Sequence, residues 1–113
     1  MLRDEATLLD LAKAIRLVRE FTAGMDHAAF RDDVKTQSAV LHQLLILGEA
    51  VKRLSDEFCS RYPEVPWRLI AGLRDKLIHH YDNVDFDEVW RVVERDIPHL
   101  AEQIEPLLPS KDR

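Results

Sequence analysis

Arg74, Asp75, His79, His80 and Tyr81 fall within eight residues. These residue types suit chemistry on a phosphodiester. An arginine can grip phosphate oxygens with two parallel hydrogen bonds and stabilise charge that develops in a transition state. A histidine titrates near neutrality and can serve as general base or acid. A tyrosine can position a phosphate or a base. None of these steps needs a metal ion. With RNA the internal nucleophile would be the 2′-hydroxyl, which DNA lacks.

The stretch lies at the end of a predicted helix over about Pro66 to His80. Trp67, Ile70, Arg74, Leu77 and Tyr81 step by three and four, so they form one stripe of that helix. Arg74 stands in the middle of an otherwise apolar stripe, where a charge is costly unless it is paired or aimed at an anion. His79 falls about 140° round from Arg74 on an ideal helix. The pair would therefore meet only in a pocket at the helix end, or where two subunits meet. Asp75, four residues before His79, could orient that imidazole. Plainer roles stand beside these. Arg74 could pair with a glutamate of another helix. His79 and His80 could satisfy carbonyls at a helix C-terminus.

The charge distribution singles out the same region. The formal net charge is −5. Residues 61–81 nevertheless carry four basic residues (Arg61, Arg68, Arg74, Lys76) against two acidic ones (Glu64, Asp75), whereas residues 82–113 carry four against nine. One small basic window argues against a protein that coats a duplex, which needs a broad basic face. It leaves room for a few phosphates at one place.

The surrounding elements read as a helical frame. A first helix is expected from about Asp4 to Ala23, ended by Gly24. A second, the longest, is expected from about Asp32 to Arg61, with Val40, Leu44, Leu47, Val51, Leu54 and Phe58 on one strip and Leu41, Leu45 and Gly48 on another. A helix apolar on two strips is central in its bundle or faces a partner subunit. Gly48 would admit close approach of another backbone. His42 and Glu49 share a face of this helix and could line an interface. Tyr62-Pro63-Glu64-Val65-Pro66 breaks the helix. Asp82-Asn83 is expected to end the third helix, with Asn83 left-handed. Asp85 and Glu88 have capping-box spacing at the start of a fourth, which Pro98 kinks or restarts with Asp96 as its cap.

The fold class is all-α: one domain over 1–109, a four- to five-helix antiparallel bundle, with 110–113 a frayed tail. The chain has one cysteine, Cys59, which excludes an internal disulfide and suits a reducing cytoplasm. No signal peptide or membrane span is visible. The five histidines show no zinc spacing, and no Gly-rich phosphate loop occurs. No cofactor is expected.

Arg74-x4-His79-x-Tyr81 resembles the Arg-x4-His-x-Tyr signature of the HepT-like toxins, members of the HEPN superfamily of helical ribonucleases. Its flanks carry the resemblance further: Leu47-Gly48-Glu49-Ala50, Tyr62-Pro63, Val65-Pro66-Trp67, Ile70-Ala71-Gly72-Leu73 and Val89-Trp90. It extends over roughly Leu8 to Leu107. The resemblance implies a homodimer with its two motifs close across the interface, and RNA cleavage without a metal in a prokaryotic cytoplasm. It implies Arg74 and His79 as catalytic residues; spacing and shared helix faces add Asp75, His80 and Glu49 as supporting candidates. It also implies an antitoxin partner, the minimal nucleotidyltransferase MntA, which neutralises the toxin by attaching AMP to the motif tyrosine, here Tyr81. The resemblance also leaves room for a larger complex of toxin and antitoxin. A non-catalytic helical partner of such a nucleotidyltransferase is the alternative.

Overall fold

A computed structural model describes residues 2–109. The expected fraying of 110–113 lies outside the described residues. The secondary structure within them is helical: α1 (Leu2–Phe21), α2 (His27–Arg31), α3 (Val34–Arg53), α4 (Asp56–Arg61), α5 (Trp67–His79), α6 (Phe86–Arg91) and α7 (Ile97–Ile104). The all-α expectation holds. No described helix is long and apolar enough to cross a membrane.

Helix α3 is the centre of the bundle. It packs against α1 on one side and α5 on the other, while α7 closes on α1. The apolar strip of α3 forms the middle of the core, with Val40, Leu44 and Leu47 almost fully buried. Leu8, Leu11 and Val18 of α1 and Ile97, Leu100 and Ile104 of α7 complete it. The second strip is different. Leu41 and Leu45 stay half-exposed, and Gly48 is buried against α5.

The long helix expected to run to Arg61 stops at Arg53. Leu54 is extended, and Ser55 caps α4 by accepting a hydrogen bond from the N–H of Phe58. Leu54 and Phe58 are both buried, so the apolar spacing continues straight through the break and conceals it. A buried carboxylate holds the break in place. Asp4 of α1 accepts hydrogen bonds from the Ser55 N–H at 2.9 Å and its hydroxyl at 2.7 Å. The backbone N–H of Ser55 is the main reason the Asp4 carboxyl sits below its usual range; the Ser55 hydroxyl and Arg61 add to it, while burial opposes it.

The other boundaries follow their local chemistry. Gly24, at φ 78°, ends the turn after α1. Asp26 and Asp33 cap α2 and α3 with their side chains. Asp85 caps α6 as expected, accepting from the N–H groups of Asp87 and Glu88. Asn83 is not left-handed: no described non-glycine residue has positive φ, and Tyr81–Asn83 form a 3-10 turn. Asp96 makes no side-chain cap. Instead α6 runs into α7 through a π-helical turn, Val92–Asp96. Pro98 lacks an N–H for a regular α-helical bond, and the widened turn accommodates that loss.

Candidate active site

The site begins at the crossing of α3 and α5. A Cβ on Gly48 would run into the Arg74 Cβ and lie 3.1 Å from the Ile70 carbonyl oxygen. Glycine at this position therefore sets how closely the two helices approach. The close approach brings residues 49 and 52 of α3 beside residues 74 and 75 of α5.

Arg74 pairs with two carboxylates. Its Nε lies 3.2 Å from Glu49 Oε2, and its Nη1 donates to Asp75 Oδ1 at 2.9 Å. The side chain retains 30% of its exposure. The rest of its five-donor fork makes no hydrogen bond or ion pair among the described residues. Asp75 Oδ1 also accepts from Lys52 Nζ at 2.7 Å. Lys52 first, then Arg74, hold the Asp75 carboxyl below the usual carboxylate range. Asp75 thus holds the arginine, and among the described residues it makes no hydrogen bond or ion pair with His79. Glu49 is the glutamate of another helix that the stripe left open.

Arg74 opens into a shallow depression of about 320 Å³ lined by His42, Leu45, Ile46, Glu49, Arg53 and Ile78. The shared face of His42 and Glu49 is one wall of it. His79 and Tyr81 are not part of that lining. His79 is the last residue of α5, and His80 follows as its C-cap, donating its N–H to the Lys76 carbonyl at 3.1 Å. Both imidazoles are exposed. The chain then turns through Tyr81–Asn83, so Tyr81 leaves the buried stripe of Trp67, Ile70 and Leu77 and stands 78% exposed.

The chain therefore gathers Arg74, Asp75 and Glu49 and leaves His79, His80 and Tyr81 around the helix end. The sequence reading missed Lys52 and Arg53. Lys52 stands three residues after Glu49, a spacing that places both on adjoining positions of one helix face. Cys59 takes no part: it is half-buried, and that burial raises its thiol pKa.

Residues 11–107 match the family model described as Ribonuclease HepT-like. The chain belongs to the HepT-like ribonuclease family. Among its relatives, a protein of Thermococcus cleftensis named as a probable ribonuclease HepT is 46% identical over 100 residues, covering 88% of this chain and 91% of its own. An RNase-named protein of Methanocaldococcus jannaschii is 40% identical over 103 residues, covering 91% and 85%. A third, RNase-named, from Caldanaerobacter subterraneus subsp. tengcongensis, is 39% identical over 92 residues, covering 81% and 82%. No solved structure matches the chain. The HepT-like match spans α3 and α5 completely, so it includes the Gly48 crossing and all five residues of the 74–81 cluster.

Proposed function

We propose that this chain is the toxin of a toxin–antitoxin pair: a metal-independent endoribonuclease whose catalytic residues are Arg74 and His79. The observation that carries the reading is the state of Arg74. It is fixed at a helix crossing by Glu49 and Asp75, half-open to a surface depression, with donors to spare. Fixed donors aimed at a developing charge need no reorganisation during reaction. In the reaction the 2′-oxygen of the substrate attacks the adjacent phosphorus, and the bond from phosphorus to the 5′-oxygen breaks. Arg74 holds the phosphate oxygens. His79 accepts the 2′-hydroxyl proton or supplies one to the departing 5′-oxygen, solvent water takes the other proton-transfer role, and the phosphate is left as a 2′,3′-cyclic diester beside a free 5′-hydroxyl.

His79 stands at a helix end, outside the depression that Arg74 enters. A homodimer that brings two motifs together supplies both groups to one substrate. The partly exposed Leu45, Ile46 and Ile78 beside Arg74 suit such a contact. The prokaryotic cytoplasm is where RNA and a nucleotidyltransferase antitoxin would both be met.

Tyr81 is the off-switch in this reading. Its 78% exposure leaves the phenol open to a modifying enzyme. AMP attached there by a MntA-like partner would put a phosphate and bulk where RNA phosphate must enter. A second reading, a non-catalytic partner that only presents Tyr81, draws on the two carboxylates that already neutralise Arg74.

Two measurements separate these. The toxin reading expects the purified chain to cleave an RNA oligonucleotide in EDTA and to spare its 2′-deoxy counterpart. It also expects the intact mass to rise by one or more AMP units on incubation with the nucleotidyltransferase and ATP, and Tyr81→Phe to abolish the rise. Modification without cleavage would favour the partner reading. No mass change in the parent chain would remove Tyr81 from the account.

A further inference from the structure

The two helical glycines of the bundle are in opposite situations. A Cβ on Gly48 meets α5 at once, whereas a Cβ on Gly72 meets nothing within 4 Å. Glycine inside a helix costs about 1 kcal/mol against alanine, and no contact within the described chain explains it at Gly72. Leu69, three residues earlier, is 76% exposed. Gly72 is two residues from Arg74, which puts it about 160° away around α5. This surface is therefore not the face that carries the arginine.

Leu69 and Gly72 border a groove of about 450 Å³ between α5 and the run from α6 to α7, with Leu73, Val92 and Leu100 among its lining residues. Its walls carry unlike charge. Arg68 stands on the α5 side and Asp96 on the opposite side, both exposed and neither in an ion pair among the described residues. The remaining charges, Lys76 and Glu88, pair across the groove at 2.7 Å. A groove with one basic and one acidic wall is self-complementary about a two-fold axis, because the same patch then meets itself with opposite charges aligned.

We infer that this groove is an interface between two copies of the chain, in which α5 of each seats Leu69 in the groove of the other, the backbones approach at Gly72, and Arg68 of each copy faces Asp96 of the partner subunit. It is separate from the motif-bearing face, so a chain that uses both faces assembles beyond a dimer. The inference does not depend on RNA cleavage.

The test is charge reversal, read as mass by light scattering and as a dissociation constant by sedimentation. Arg68→Glu alone places two carboxylates together at each contact, and Asp96→Arg alone places two cations together. Each single variant is expected to keep its helical circular dichroism, to halve in mass and to weaken association by about tenfold or more, as like charges do when juxtaposed at an interface. An equimolar mixture of the two variants is expected to regain the parental mass, because Glu at 68 then meets Arg at 96 in one contact and the native pair forms in the other. Single variants with the parental mass, or a mixture that stays dissociated, would overturn the interface. So would a parent chain that is monomeric at micromolar concentration, or one whose groove proves to take a different protein.

Discussion

At the scale of single residues, Arg74 depends on a residue that does no chemistry. Gly48 lets α3 and α5 approach until Glu49 can reach the guanidinium and Lys52 can reach the Asp75 that also holds it. Gly48→Ala would gain about 1 kcal/mol of helix propensity, but its methyl would meet a side-chain Cβ and a backbone oxygen, neither of which is the far end of a flexible chain. Overpacking of this kind costs about 1–3 kcal/mol. The expected outcome is a small net loss of stability in urea unfolding and a larger loss of RNA cleavage, because the arginine is displaced. A variant with parental stability and activity would show that the crossing does not position Arg74. The candidate residues themselves were readable from spacing and charge alone. Their grouping was not, because Asp75 has two possible partners along the chain and a third, Lys52, that only the crossing of α3 and α5 supplies.

At the scale of the helical elements, most boundaries could be predicted from their caps. Gly24, Pro66 and Asp85 stand where glycine, proline and aspartate are expected to stand. The break after Arg53 was hidden because Leu54 and Phe58 continue the apolar spacing across it. Ser55-Asp56-Glu57 does hold a helix-start signal, a capping serine before two acidic residues, but the periodicity outweighed it. The anchor of the break, Asp4, lies 51 positions away, and no local pattern reveals it. Asp4 also makes stability depend on pH. Its folded pKa is lowered, so the contribution is present above the unfolded value, about 3.9, and is lost as pH falls through the folded value. Asp4→Asn should therefore lower the melting temperature clearly at pH 7 and much less in acid near or below that folded value. Equal differences at both pH values would mean that the carboxylate charge is not what holds Ser55.

At the scale of the whole molecule, the helical class followed from composition and periodicity, and membership of the HepT-like family from the 74–81 cluster with its flanks. Assembly was harder to read. Two apolar strips on α3 suggested a partner, but the first is buried in the chain's own core, and in the second Gly48 packs on α5 while Leu41 and Leu45 stay half-exposed. The partly exposed aliphatics near Arg74 and the Gly72 groove are two surfaces left open. The first bears on how, in the proposed reaction, the arginine and histidine would reach one phosphate; the second lies on another face of α5. The most direct test of that central claim is cleavage of a single RNA substrate, in EDTA, by the parent chain and by Arg74→Ala and His79→Ala. Each substitution should lower the rate by about 100-fold or more with unchanged helical circular dichroism, whereas variants that cleave as fast as the parent would contradict the assignment.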